Sequence, residues 1–149
     1  MTPEEMVKVQ DAHIAAENSH DSEAAVATFA DECFYEIVAL GIRFDGKQGV
    51  ALQYAALFHT FPDSDFRVDG RAFSEDTLVE WGTFSGTMTG EFLGVAPTGR
   101  RLDLPIIAVV PFTGGLMAGE RVYYDIATVC DQLGLGLEEV RAAAKLLAG

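Results

Sequence analysis

From residue 66 to residue 125 the chain reads as four long strands joined by short breaks, and that run limits what it can build. Phe66 to Phe73 alternates. Thr77 to Thr89 sets Leu78, Glu80, Gly82 and Phe84 on one face, with Val79, Trp81, Thr83 and Ser85 on the other. Gly90 to Arg100 is a loop that turns at Pro97-Thr98-Gly99. Leu102 to Phe112 is strongly apolar, Thr113-Gly114-Gly115 turns, and Leu116 to Asp125 returns. Gly82, Gly86 and Gly90 recur along the longest strand, which is where a bending sheet needs glycine. A curved sheet has a concave side, and something must cover it.

The residues before this run supply the cover. Thr2-Pro3-Glu4-Glu5 starts a helix, with Thr2 as N-cap, Pro3 at the first helical position and Glu5 closing a capping box. Val7, Gln10, His13, Ile14 and Glu17 recur at helical spacing. Asn18-Ser19-His20-Asp21 breaks that helix, and a second one, capped by Asp21 or Ser22, carries Ala25, Val26 and Phe29. Cys33 to Leu40 is aromatic and β-branched and reads as a strand, and Gly41 to Gly49 as a turn-rich connection. Val50 to Phe61 is a helix, apolar nearly all round and stopped by Pro62. After the meander a helix runs from about Ile126 to Leu133, and Leu137 to Leu147 makes a last amphipathic one. Helices lying across a curved, mainly antiparallel sheet give an α+β fold with a pocket, in one domain spanning residues 1–149.

The net charge of −13 excludes a nucleic-acid partner, whose phosphates would be repelled. No apolar run is long enough for a bilayer, and no basic-then-apolar leader opens the chain, so no membrane partner and a cytoplasmic location are expected. Cys33 and Cys130 are far apart in apolar surroundings and read as buried thiols. His13, His20 and His59 are scattered, and no His-carboxylate spacing makes a metal site. A Gly-rich phosphate loop and a G-x-S-x-G elbow are also missing, so no cofactor is expected.

Chemistry gathers in Glu120-Arg121-Val122-Tyr123-Tyr124-Asp125, where strand turns into helix. Alternation puts Arg121, Tyr123 and Asp125 on one face and Glu120, Val122 and Tyr124 on the other. Reading the first set as pocket-facing makes Asp125 a general base with a phenol and a guanidinium beside it. An aspartate before a helix also serves as its N-cap, and both roles stay open.

Further residues then match a known family. Trp81, Gly86-Thr87-x-x-Gly90-Glu91-Phe92-x-Gly94-Val95-x-Pro97-Thr98-Gly99-Arg100, the Glu120–Asp125 motif and Gln132-Leu133-Gly134 resemble the SnoaL-like polyketide cyclases. The helix hairpin and the Phe61-Pro62-Asp63 break fit as well. That family belongs to the cone-shaped superfamily of nuclear transport factor 2, with ketosteroid isomerase and limonene epoxide hydrolase among its relatives. The resemblance implies a cofactor-independent lyase or isomerase. Its Asp125 would remove a proton next to a carbonyl and return one to the developing alkoxide, closing a ring by an aldol step. It also implies a homodimer formed through the sheet, with Val122 and Tyr124 on the convex side. Met88 stands where members often carry His, and Leu102 to Val110 is greasier than in cyclases, which points to a smaller or more apolar ligand. Epoxide hydrolysis would need an Arg-x-Asp pair and a second aspartate. Arg101-Leu102-Asp103 lies beside a turn, and Val122 stands at the second aspartate's position.

Other candidates follow from placement. His59, at the end of its helix, is either a pocket proton carrier or a residue favoured by the helix dipole. His13 and Glu17 lie one helical turn apart and could reach the cone's mouth. Trp81 and Tyr35 could platform a ligand or simply pack, and Glu36 and Glu80 could pair across strands with Arg67, Arg71 or Arg121. The expected ligand is a small hydrophobic or aromatic carbonyl compound held by Arg121, Tyr123, Trp81, Tyr35, His13 and Glu17, with Asp125 and His59 catalytic. The competing class is a non-catalytic small-molecule binding or interaction domain of the same fold.

Overall fold

The computed structural model describes residues 1–148. Its elements are helices α1 (Pro3–Asn18), α2 (Ser22–Ala27), α3 (Gly46–Thr60), α4 (Ile126–Leu133) and α5 (Leu137–Ala148). The strands are β1 (Phe29–Ile37), β2 (Ile42–Asp45), β3 (Asp65–Ser74), β4 (Thr77–Thr87), β5 (Arg101–Thr113) and β6 (Leu116–Tyr123). They form one mixed six-stranded sheet in the order β2-β1-β6-β5-β4-β3. The four-strand meander is antiparallel throughout, and β1 joins it parallel to β6.

The N-terminal capping box forms as the sequence dictates: Glu5 N–H donates to Thr2 Oγ1 and Thr2 N–H to Glu5 Oε2. Asp21 caps α2 through its bond from Ala24 N–H. Two boundaries differ from expectation. Phe29 belongs to β1, because α2 ends at Ala27. The segment 41–49 holds a strand and a helix start, since Gly41 in the left-handed region (φ 65°) lets β2 fold back onto β1.

Curvature comes from a register shift in β3 between Val68 and Gly70, opposite Gly82. A side chain at Gly82 would strike the Arg67 carbonyl, so the glycine permits this close crossing. Asp63 ties the α3–β3 turn to the sheet, accepting from Thr87 N–H and Thr87 Oγ1–H, both at 2.7 Å. These bonds hold its carboxyl below the usual range.

Two apolar clusters fill the concave side. One joins α1, α3, β1 and β6 through Met6, Phe29, Val50, Tyr54 and Met117. The other packs α4 on β4 and β5 through Phe61, Phe84, Leu102, Leu104 and Leu133. Met88 is fully buried in this second cluster, so the position expected to offer a polar group near the pocket is core instead. No helix among the described residues is long and apolar enough to cross a membrane.

Candidate functional site

Between the two clusters lies a cavity of about 560 Å³. Its walls are mostly apolar, with Leu102, Leu104, Ile106 and Ala108 of β5 along one side. Exposed His59, Glu91 and Leu147 stand at its rim. The Thr60 hydroxyl donates to the Glu91 carbonyl there, holding the loop against the end of α3. The polar interior consists of Glu17, Glu120, Tyr35, Gln53 and Tyr124.

The Glu120–Asp125 motif faces the opposite way from the expected one. Glu120, Val122 and Tyr124 line the cavity. Arg121 and Tyr123 lie on the convex face, where Arg121 Nε pairs with Glu36 at 3.2 Å and its guanidinium stacks 4.6 Å from the Phe34 ring centre. Tyr123 is 42% exposed and Trp81 43%, so neither touches the cavity. Asp125 is exposed at the start of α4, accepting from Ala127 N–H and Thr128 Oγ1–H at 3.0 Å each. The two faces of the strand alternate as expected, but it is the Glu120, Val122 and Tyr124 face that turns to the cavity. Glu120 and Val122 are the buried members of the motif, and Tyr124, next in the same strand phase, goes inward with them. Asp125→Ala should therefore cost roughly 1 kcal/mol of stability by urea titration, and Asp125→Asn a few tenths at most.

Tyr35 lines the cavity beside Glu120, its partner in strand register. Glu17 lines it too, from the last turn of α1. His13 is fully buried behind them, not at the mouth. Its Nε2 lies 3.6 Å from Glu17 Oε2, 3.5 Å from Glu120 Oε2 and 2.9 Å from the Tyr54 hydroxyl. Its Nδ1 lies 2.9 Å from Thr28 Oγ1, whose own hydrogen goes to the Ala25 carbonyl at 2.6 Å. Thr28 therefore accepts, and Nδ1 carries a proton. The Tyr54 hydroxyl donates to Glu120 Oε2 at 3.4 Å, which leaves its oxygen free to accept from Nε2–H. The network suits a doubly protonated imidazolium.

On both residues burial and the nearest opposite charge pull in opposite directions. Burial pulls the His13 pKa down, but the hydrogen bond and charge of Glu120, with the charges of Glu17 and Glu80, outweigh it and raise it. Burial lifts the Glu17 carboxyl to about 7 against the pull of His13, helped by Glu120 and Glu80. A carboxyl whose folded pKa exceeds its unfolded value adds stability at low pH that is lost as pH rises between the two, here from about 4.5 to about 7. Glu17→Gln removes that loss. Its melting temperature should climb relative to the parent's as pH rises through this window, and calorimetry across pH checks it.

Behind this cluster sits a second one. Glu80, fully buried, accepts from Gln10 Nε2–H at 2.6 Å and from Arg71 Nε–H at 3.0 Å, and Arg71 also reaches Asp11 at 2.8 Å. Sequence reasoning left Tyr54, Gln53 and the inward face of Glu120 unassigned. The available signal was the series Gln10, His13 and Glu17, polar residues in helical phase with the apolar Met6.

The family model for SnoaL-like polyketide cyclase matches residues 7–133. The chain belongs to that family. Among solved structures it is similar to a protein of Jannaschia sp. classed as a SnoaL-like polyketide cyclase, with TM-score 0.81, 18% identity and coverage of 91% of this chain and 97% of that one. TsrD from Streptomyces laurentii gives TM-score 0.79 at 23% identity, covering 90% and 98%. A protein from Catenulispora acidiphila with a ketosteroid isomerase-like fold, crystallised with trimethylamine, gives 0.77 at 18%, covering 93% and 98%. These likenesses establish the shared fold. No curated protein sequence matches the chain. The family model stops before α5, which packs Val140 and Ala144 into the core and brings Leu147 to the rim.

Proposed function

We propose that this SnoaL-like chain is a cofactor-independent enzyme that moves a proton next to a carbonyl of an apolar substrate, leading to ring closure or isomerisation. The observation that carries the reading is the Glu17–Glu120 carboxyl pair facing an apolar cavity with His13 behind both. Glu17 is the proton carrier, because a carboxyl lifted to about 7 is matched to work at neutral pH. Its ionised form takes the C–H proton, and the C–H electron pair moves onto the carbonyl oxygen as an enolate. The enolate carbon attacks a second carbonyl of the same molecule, and Glu17 returns the proton to the new alkoxide. Gln53, Tyr35 and Tyr124 are the neutral donors available to the oxygens. Tyr54 and His13 position Glu120.

The test is exchange of carbon-bound protons. In deuterated buffer the protein should speed loss of the C1 proton signals of 2-tetralone, an apolar cyclic ketone, above the buffer rate. A rate equal to buffer for it and for a panel of larger apolar ketones would rule the reading out.

Two copies are also inferred to pair through the convex face. Trp81, Ile107 and Tyr123 lie in one row across β4, β5 and β6, each exposed by more than 40%. Val122 and Tyr124, expected there, line the cavity instead. Light scattering at micromolar protein should give a dimer mass, and Ile107→Lys should halve it. A monomer mass for the parent would exclude this pairing.

A further inference from the structure

We infer that the cavity selects a hydrophobic amine, bound as its ammonium ion with the cation against Glu120 and Glu17. The inference rests on the cavity being the substrate site and goes beyond it by assigning the ligand's charge. Of the chain's ten lysines and arginines, none lines the cavity among the described residues. A substrate carboxylate or phosphate would meet two carboxyl groups there, with no lysine or arginine to pair with and the His13 imidazolium already engaged behind both. Its desolvation would go uncompensated.

A cation meets the opposite situation. The Glu120 side chain is only 7% exposed, yet it lines the cavity. Its Oε2 faces Tyr54 and His13, whereas no hydrogen bond from a described residue reaches its Oε1. Glu17 has His13, at 3.6 Å, as its nearest cationic partner and no hydrogen-bond donor among the described residues. A buried carboxylate oxygen open to an enclosed apolar space is a place for a positive group. The walls suit one as well. The Tyr35 ring stands in register with Glu120, and Phe44, Phe61, Phe84, Phe92 and Tyr124 extend the aromatic surface. Aromatic faces attract alkylated ammonium groups while the alkyl parts bury apolar area.

The electrostatics of the pair agree. Glu17 keeps its proton toward neutral pH because it is buried beside Glu120 and Glu80. The groups facing it are His13 of its own helix, Glu120 of β6, Glu80 of β4, Tyr35 of β1 and Tyr54 of α3. An ammonium group between the carboxyls relieves that repulsion and favours ionised Glu17, the form that accepts a carbon-bound proton.

Two probes of one shape separate charge from size: benzyltrimethylammonium and its uncharged isostere neopentylbenzene, with 4-phenylbutyrate as the anion. Equilibrium dissociation constants are measured on the full-length protein at neutral pH, by calorimetry or ligand-observed NMR. The ammonium should bind at least about tenfold more tightly than the isostere, and the anion more weakly than either. In the double variant Glu17→Gln, Glu120→Gln the preference for the cation should vanish while the isostere still binds, which also reports an intact cavity. Equal or tighter binding of the isostere by the parent protein would overturn the charge assignment and leave the proton-transfer reading standing. An undiminished cation preference in the double variant would overturn the placement at these carboxyls. Binding of none of the three would overturn the inference together with the cavity as a ligand site.

Discussion

Glu17→Gln should reduce turnover by about a hundredfold or more, the usual scale for a positioned acid/base, while Asp125→Asn leaves it within about twofold. The contrast is sharp because both changes remove one carboxylate and keep nearly the same shape. At Glu17 the lost group lines the cavity and holds its proton up to about 7. At Asp125 the lost charge sits in solvent at a helix start, where the Asn oxygen still accepts the Ala127 N–H that caps the helix. With a substrate in hand, single-turnover rates and substrate-analogue affinity should separate in Glu17→Gln, because the chemical step fails and the apolar walls still bind. The parent's pH–rate profile should rise through about 7 as Glu17 ionises. A fully active, folded Glu17→Gln would remove this residue from the chemistry. A hundredfold loss in Asp125→Asn would return the base to the strand end.

How much of this was legible in the chain depends on the element. The meander, the capped first helix and the break at Pro62 announce themselves by alternation, cap chemistry and a missing N–H, all local signals. The parallel pairing of β1 with β6 did not, because it joins segments at least 85 positions apart. The site fell between these cases. Alternation separated Glu120 from Asp125 but could not say which side faces the core. A second strand decides that: Tyr35 and Glu36 of β1 lie opposite Glu120 and Arg121. The Glu36–Arg121 ion pair, one of the cross-strand pairings open from sequence, lies on the convex face, so Glu120 must face inward. The His13–Glu17 pair was visible as a helical spacing, but its depth was not. Burial of such a pair becomes acceptable only through Thr28, Tyr54 and Glu120, which belong to other elements.

The second large effect is expected away from the cavity wall. Arg71→Ala should destabilise the fold by about 3–5 kcal/mol at neutral pH, because it strands a charge the fold has no other way to neutralise. Glu80 has no exposed surface, and its bonds come from Arg71 and Gln10. Gln10 supplies a neutral amide with its own Oε1 unsatisfied, so it cannot replace a guanidinium. Burial already raises the Glu80 pKa, with Glu120 adding to it and Gln10 and Arg71 opposing. Removing Arg71 deletes one opposing influence and raises it further. A carboxyl with a raised folded pKa loses stability as pH climbs above its unfolded value, so the variant's deficit should be small in acid. It should widen once pH passes the parent's own raised Glu80 pKa and level off above the variant's still higher one. Adding Glu80→Gln should recover much of the loss, since an amide needs no counter-charge. Urea titrations of the single and double variants across pH give the test. A deficit that stays the same in acid and at neutrality would mean that Arg71 acts through its packing and its bond to Asp11 rather than through the charge on Glu80.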